Sequence, residues 1–433
     1  MPIRRKSKPV PDSELEALLK RFEEGTTVSN GNVQFHHLDS DELERILPDA
    51  FEADPGFTPR QLRYLLRQAL WNSRKKGALA IAGLLAEARR LAKAHLAQPR
   101  RSYAMWTKFR ARQMPFSSGF RLSWDGVTLE SSKSLPRYMA VEEYLLSGHG
   151  RIYPRRPEFF GYLITRCEAR DEENAVAQML SATEIFMAVF NMYELWGRWS
   201  VGAERWADGK LWNGPYHFVF RGKRFLGHER IWYDPNYDDE AWNSFPIDMA
   251  AVLDVVPRTR RALDRLASHP LRALLVDVLR LMQEAMSTRD QNYSLLRYWS
   301  ALEQLYGEPH GREKNYSRII QRAAFAEQDK QLARWKLAHI SRMRNGYVHA
   351  GDSDDDLRVM TQYLRMLLSR HVNALLFGND QVTSHAHWLE IVDLPDDEAL
   401  LEERKAVIDQ RIAIIRRGRA IAEEAAAQDQ GDE

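Results

Sequence analysis

Apolar residues recur every three or four positions along the C-terminal half of the chain. This spacing predicts helices near residues 247–267, 270–288, 291–307, 330–345 and 354–377. Helices of this length, joined by short connections, are typical of an α-helical bundle. Residues 246–395 are therefore predicted to form one.

Polar and apolar residues alternate in the middle of the chain, residues 116–245, as they do in half-buried strands. The segment FRLSWDGVTLES alternates around the Asp-Gly pair at 125–126, which favours a two-residue hairpin turn. The segment YHFVFRGKRFL alternates around the Gly-Lys pair at 222–223, and a further strand is predicted near 159–169. A long apolar helix with an aspartate N-cap is predicted over 171–199. The region is predicted to be a small α+β domain whose many aromatics form a core rather than a ligand site.

The first 115 residues are predicted to contain two segments that differ sharply in composition. Residues 1–58 combine a basic tail, a short helix (SELEALLKRFEEG) and an acidic, loop-rich stretch. Residues 59–115 carry apolar residues at helical spacing, so two or three helices with basic outer faces are predicted there. The fold class that follows is mainly α, with an α+β middle, an N-terminal basic helical region and a C-terminal helical bundle.

A last helix is predicted in residues 396–433, followed by a polar tail. Steps of seven residues suit a coiled-coil seam, and they also suit a helix that packs back on its own bundle. The pattern leaves both alternatives open. The two neighbouring apolar columns are Leu400, Val407, Ile414 and Ile421, with Leu401, Ile408 and Ile415 beside them.

Composition places the chain among soluble globular proteins. It has 433 residues, 44% of them apolar and 28% charged, and this length predicts more than one domain. The single cysteine, Cys167, cannot form an internal disulfide, and no apolar segment of a secretory signal follows the basic N-terminus. The longest apolar stretch, 175–196, includes Gln178 and Glu184, which predicts a buried helix rather than a membrane span. We expect a cytoplasmic protein without a membrane partner.

The net charge of +2 conceals a strongly basic segment. Residues 60–115 contain 14 Lys and Arg and one acid, Glu87. Such a segment can follow a phosphate backbone while interleaved aromatics stack on bases. The alternative is a basic helical face paired with the acidic surface of residues 27–58. The candidate RNA-binding residues are Arg74, Lys75, Lys76, Arg100, Arg101 and Lys108, and the interleaved aromatics are Tyr64, Trp71, Tyr103, Trp106 and Phe109.

The stretch HISRMRNGYVHAG at 339–351 carries the most informative chemistry. Arg344 can fork onto phosphate oxygens and stabilise the negative charge that develops on them. His349 titrates near neutrality and can move the proton of an RNA 2′-hydroxyl. Asn345 can orient the phosphate or the histidine through its amide. These residue types together suit cleavage of a phosphodiester without a metal.

Arginine followed five positions later by histidine occurs three times, starting at Arg90, Arg334 and Arg344. In a continuous helix, positions five apart differ by about 140° around the axis, so their side chains face apart. The first two pairs lie in uninterrupted helical patterns, whereas the third contains Gly346 and is followed by a Gly-Asp-Ser-Asp turn. We expect Gly346 to end or bend the helix and to let His349 approach Arg344.

The same stretch resembles the Arg-polar-x3-His motif of HEPN domains, the higher eukaryote and prokaryote nucleotide-binding domains. Upstream, YSLLRYWSALEQLYG at 293–307 is similar to the helix that precedes the motif in Apea-like HEPN proteins, with Glu303 at a position that is often acidic. The order of the two segments inside a helical bundle agrees as well. The resemblance covers about residues 250–378, and we identify no family for residues 1–245.

The resemblance implies a metal-independent endoribonuclease without a cofactor. Many HEPN domains dimerise so that two motifs face one another across one cleft, where Arg and His promote attack of the 2′-hydroxyl on its own phosphate. Carried to this sequence, Arg344, Asn345 and His349 occupy the motif, and Glu303 would brace the site. Such domains are common in bacterial toxins and anti-phage abortive-infection proteins. The expected partners are thus an RNA substrate, a second copy of the chain, and a phage or protein trigger.

Other interpretations of the same residues stay open. His349 can be a surface histidine near a helix end, Arg344 a cation that complements the helix dipole, and Glu303 a solvated or salt-bridging acid. A catalytically inactive HEPN scaffold that binds RNA, a nucleotide or a protein is the alternative function. The histidine pairs at 36–37 and 385–387 lack cysteine or acid ligands at a fitting spacing, so no metal site is expected.

Overall fold

The chain divides into two compact units, which are described separately. The first contains residues 1–183 and 213–237, and the second contains residues 184–212 and 238–433. Both come from a computed structural model, which describes residues 2–6, 10–35, 46–54, 57, 59–77, 79–110, 120–140, 161–194, 211–226, 232–233, 249–308, 315–350, 357–378, 381–395 and 397–429.

The N-terminal part of the first unit is a small helical layer edged by short strands. Strand β1 (Ile3–Arg5) pairs antiparallel with β4 (Phe51–Ala53), and β2 (Thr26–Ser29) pairs with β3 (Asn32–Phe35). Helices α1 (Asp12–Glu24), α2 (Pro59–Lys75) and α3 (Ile81–Leu96) enclose one apolar core. That core is formed by side chains such as Leu15, Leu19, Phe22, Leu66 and Leu84.

The prediction of a basic helical region to residue 115 is confirmed for α2 and α3 and is wrong for residues 101–110, and residues 111–115 lie outside the described part. Residues Arg101–Arg110 form strand β5 instead of a third helix. Every side chain from 103 to 107 is buried, so the strand has no polar face. The sequence of a strand buried on both faces is a continuous apolar run. Periodicity does not distinguish such a run from a buried helix.

Strand β5 lies inside a mainly antiparallel sheet. It pairs with β8 (Gly161–Ala169) from Arg101↔Ala169 to Phe109↔Gly161, and β8 pairs with β7 (Val127–Ser132), which pairs with β6 (Arg121–Trp124). On its other side lies β9 (Trp212–Arg221), which pairs with β10 (Arg224–Phe225) and β11 (Trp232–Tyr233). Within the described residues the strand order is β10-β9-β5-β8-β7-β6.

The two predicted hairpin turns are confirmed. Asp125 and Gly126 both have positive φ, 50° and 77°, which is the geometry of the two-residue turn that Asp-Gly favours. Gly222 also has a positive φ, 60°, at the turn between β9 and β10. The predicted N-cap of the long apolar helix is confirmed too, since Asn174 N–H donates to Asp171 Oδ1 over 2.7 Å at the start of α4 (Glu172–Glu194).

The second unit contains the predicted helical bundle. Its helices are α5 (Met249–Ser268), α6 (Arg272–Met286), α7 (Gln291–Tyr306), α8 (Tyr316–Ala323), α9 (Lys330–Ala350), α10 (Leu357–Gly378), α11 (His385–Val392) and α12 (Glu398–Asp429). Helix α7 packs against α6, α8, α9 and α10, so it lies at the centre of the unit. The five predicted bundle helices are confirmed, and the short helices α8 and α11 were not predicted.

The last helix, α12, leaves its apolar columns in solvent along the part whose side chains are described. Leu400, Val407, Ile408, Ile414 and Ile415 are all exposed. They therefore do not pack back on the bundle, and a coiled-coil seam with another chain stays a prediction.

One described helix is long and apolar enough to cross a membrane. It comprises Glu172–Tyr193 of α4, and 72% of its most apolar window is buried inside the structure. Such burial is typical of the core helix of a soluble protein.

Candidate functional site

Three of the four residues predicted to form a catalytic site lie in one group of contacts where α7, α8 and α9 meet. Arg344, on α9, places its guanidinium over the ring of Tyr316, 5.5 Å from the ring centre. Its Nη1 donates to the side-chain oxygen of the neighbouring Asn345 over 2.8 Å. Tyr316 is the first residue of α8, so two helices hold the arginine in place.

Glu303 reaches the same group through two aromatic rings. Its carboxylate accepts a hydrogen bond from Trp299 Nε1 over 2.8 Å, and the Trp299 ring lies 6.1 Å from the ring of Tyr316. Glu303 is only 8% exposed, so the alternative of a solvated surface acid is wrong. These contacts connect Glu303 to Arg344 through Trp299 and Tyr316.

Local sequence explains why these helices begin and end where they do. The side chain of Asn315 accepts from Arg318 N–H over 3.1 Å and caps α8, which fixes the position of Tyr316. Helix α7 ends at Gly307, whose N–H donates to the carbonyl of Glu303 over 2.8 Å. A Cβ at position 307 would collide with that carbonyl oxygen, so glycine is needed one turn after Glu303.

Arg344 has hydrogen-bond donors that the described part of the chain does not use. Its Nε is buried and has no hydrogen-bond partner among the described residues. A guanidinium carries five N–H groups, and within the described ranges Arg344 donates through Nη1 to Asn345. The side chain is therefore held by Tyr316 and still able to bind an oxyanion.

The expectation that Gly346 ends the helix is wrong. Helix α9 continues through Gly346 to Ala350, and a Cβ at that glycine would meet open space. On a regular helix, positions 344 and 349 differ by about 140°, so one helix does not bring them to the same side. The side chain of His349 lies outside the described part of the structure, and its predicted role stays a prediction.

The predicted RNA-binding residues differ in how far the fold already uses them. Arg74 donates to the carbonyl of Thr26 over 2.8 Å and to its hydroxyl over 3.0 Å, and it pairs with Glu23. Lys76 pairs with Glu87 over 2.9 Å, and Glu87 also binds Arg90.

These contacts hold the pKa of Glu87 at about 2, chiefly through its hydrogen bond with Arg90. Two of the six cations are thus in intramolecular ion pairs, while Lys75, Arg100 and Arg101 are exposed and Lys108 is half-buried.

The aromatics proposed to stack on bases are mostly in the core. Tyr103, Trp106 and Phe109 are buried in strand β5, so their rings are not open to a nucleic acid, and the stacking hypothesis is wrong for these three. Trp71 lies under the guanidinium of Arg67, 4.6 Å from its ring centre. Tyr64 is exposed on α2.

Two residues of the candidate site were not singled out from the sequence. Trp299 and Tyr316 connect Glu303 to Arg344, yet in the sequence neither differs from an ordinary core aromatic. The available signals were the i,i+4 spacing of Trp299 and Glu303 on one helix, and the Asn-Tyr-Ser start of α8. No protein-family model, no curated protein and no solved structure matches the chain.

Proposed function

We propose that the chain is a metal-independent endoribonuclease of the HEPN type. The observation that carries this proposal is Arg344, which is held by Tyr316 and Asn345 and keeps a buried, unused Nε donor among the described residues. The same helix carries His349, the residue type that moves protons near neutral pH. The resemblance of residues 293–307 and 344–351 to HEPN segments adds the substrate class.

In the proposed reaction, the guanidinium of Arg344 binds the non-bridging oxygens of the scissile phosphate and stabilises the charge that develops there. His349 removes the proton of the 2′-hydroxyl, and the 2′-oxygen attacks the phosphorus. The bond from phosphorus to the 5′-oxygen breaks, and that oxygen takes up the proton that the histidine removed from the 2′-hydroxyl. The products are a 2′,3′-cyclic phosphate and a 5′-hydroxyl end.

Two copies of the chain would complete the site. Because positions 344 and 349 lie about 140° apart around one helix, a cleft that uses both residue types draws them from two motifs. We therefore include a homodimer in the proposal. A cytoplasmic role in anti-phage defence or as a toxin, released by a phage or protein trigger, is the corresponding biological proposal.

The test is RNA cleavage by the purified full-length protein in the presence of EDTA. Arg344→Ala and His349→Ala are each expected to lower the cleavage rate at least about 100-fold, since loss of a charge-stabilising donor or a general base costs this much. The expected product has a 2′,3′-cyclic phosphate end, and light scattering should show a dimer.

A matched control lies on the same helix. Arg334→Ala and His339→Ala remove the same residue types at the same spacing on α9, and they should cut RNA at the wild-type rate. Equal loss in both pairs, or a strict monomer that cleaves, would contradict the proposed site. A wild type that binds RNA without cutting it would favour the inactive scaffold.

A further inference from the structure

Three arginines lie at the same end of three neighbouring strands of the sheet in the first unit. Arg101 is the first residue of β5, and in the register of the sheet it faces Ala169, the last residue of β8. Arg170 follows directly. Arg221 is the last residue of β9, and the next N–H, that of Gly222, donates to the carbonyl of Ser102 over 2.9 Å. The three arginines are thus at the same end of strands β9, β5 and β8.

These arginines line a cleft of about 260 Å³. Its wall is completed by apolar and aromatic groups, among them Tyr103 and Leu226. Tyr103 is hydrogen-bonded to Arg221, and burial raises the pKa of its hydroxyl. The hydroxyl is therefore neutral near pH 7 and can itself donate a hydrogen bond.

The two acids in the lining have other partners. Asp171 caps α4, and its Oδ2 accepts from Gln61 Nε2 over 3.2 Å with His95 Nε2 at 3.5 Å. Glu172 accepts from Trp232 Nε1 over 3.4 Å. Arg170 donates through Nε to the carbonyl of Leu96.

Among the described residues, no carboxylate oxygen lies within 4 Å of the guanidinium groups of Arg101, Arg170 or Arg221. Three guanidinium groups and two carboxylates, those of Asp171 and Glu172, line the cleft, so the arginines are in excess and an anion between them is favoured.

We propose that this cleft binds a phosphate monoester. At pH 7 such a group carries close to two negative charges and offers three acceptor oxygens. A guanidinium group binds two oxygens at once in a forked geometry. A carboxylate has two oxygens and can pair in this way with one arginine, whereas the three oxygens of a phosphate can be shared by several. The volume is slightly below the range of about 300–1,000 Å³ for pockets that enclose drug-sized ligands. The cleft therefore accepts one phosphorylated group, such as the phosphate end of a nucleotide, and excludes a folded RNA segment.

This inference does not rest on the proposed nuclease, because every residue that carries it belongs to the first unit. It also gives Arg101, one of the predicted RNA-binding residues, a specific role. That role is to bind a terminal phosphate, whereas the sequence-based hypothesis had Arg101 bind the phosphodiester backbone of RNA.

The test is titration calorimetry of the full-length protein with adenosine 5′-monophosphate, inorganic phosphate, sulfate and adenosine. The monophosphate should bind and adenosine should not, and inorganic phosphate should compete. Arg101→Gln and Arg221→Gln are each expected to weaken binding of the monophosphate about 10- to 100-fold, as loss of a hydrogen bond to a charged group does. Binding of inorganic phosphate alone would assign the site to the free ion rather than to a nucleotide.

The control variant is Arg63→Gln, which removes the same charge from an exposed position on α2 of the same unit. It should bind the monophosphate like the wild type, and thermal melts should show that all variants are folded. Sulfate binding as tight as phosphate, no binding at all, or an equal loss in Arg63→Gln would overturn the inference. RNA cleavage by Arg101→Gln, measured in parallel, separates this outcome from a failure of the nuclease proposal.

Discussion

Replacing Arg322 by alanine is expected to lower the free energy of unfolding of the second unit by about 3 kcal/mol, the lower end of the cost of breaking a buried ion pair. Arg322 is only 2% exposed. Its Nε and Nη2 each donate to one carboxylate oxygen of Asp393 over 2.7 Å, and Nη1 donates to the carbonyl of Tyr306 over 2.8 Å. Nη2 also donates to Glu308 over 2.8 Å. Alanine removes the arginine donor from the buried carbonyl of Tyr306 and from Asp393 Oδ1, and it leaves Asp393 Oδ2 and Glu308 with Arg318.

Urea unfolding measures the loss, and Arg318→Ala is the matched control. Arg318 binds the same two acids, Asp393 over 2.6 Å and Glu308 over 3.2 Å, but it is 49% exposed. An exposed ion pair contributes about 0–1 kcal/mol, so this variant should lose much less stability. Similar losses in the two variants would show that burial of Arg322 does not set its contribution. Because Arg322 is on α8 with Tyr316, its loss should also loosen the contact that holds Arg344.

The same network predicts how stability depends on acid. The hydrogen bonds from Arg322, and to a lesser extent those from Arg318, lower the pKa of Asp393 from 3.8 to about 2. A lowered carboxylate pKa stabilises the folded state fully above pH 4, and the contribution is lost as the pH falls through 2. Wild-type stability should therefore fall between about pH 4 and 2 by more than that of Arg322→Ala, as urea unfolding across this range would show. Parallel curves would contradict the assignment.

Local rules were sufficient for many elements of this fold. The Asp-Gly turn at 125–126 and the N-cap at Asp171 depend on residues within a few positions of one another, and both are confirmed. Strand β5 was missed because its identity depends on pairing with β8, some 60 residues later, and because it is buried on both faces. Helix α8 has only 8 residues, too few for a periodic pattern to stand out.

The candidate site shows the same division between local and long-range information. Arg344, Asn345 and Glu303 were identified by residue type and by family resemblance, without any knowledge of their contacts. The rings of Trp299 and Tyr316 that join them come from different helices, so tertiary packing alone brings them together.

The predicted helix end at Gly346 was wrong because a glycine inside a helix destabilises the helix by only about 1 kcal/mol relative to alanine. Helix α9 is anchored upstream by the buried Leu337 and Ile340, which offset that cost.

Trp106→Ala is expected to destabilise the first unit by about 3–5 kcal/mol, the usual cost of removing a large aromatic from a core. Trp106 is 0% exposed in the middle of β5. Its ring stacks on Phe218 at a centre distance of 4.0 Å and meets Tyr162 edge-on at 5.6 Å.

Thermal and urea unfolding test this prediction, with Tyr64→Ala as the control. Tyr64 comes from the same basic segment and was proposed for the same base-stacking role, but it is 53% exposed on α2. Its loss should change stability by no more than about 0.5 kcal/mol. The comparison separates a core aromatic from one that contacts a ligand, because packing against Phe218 and Tyr162 affects unfolding whether or not RNA is present. A Trp106→Ala protein of wild-type stability that bound RNA poorly would instead restore the stacking hypothesis for this residue.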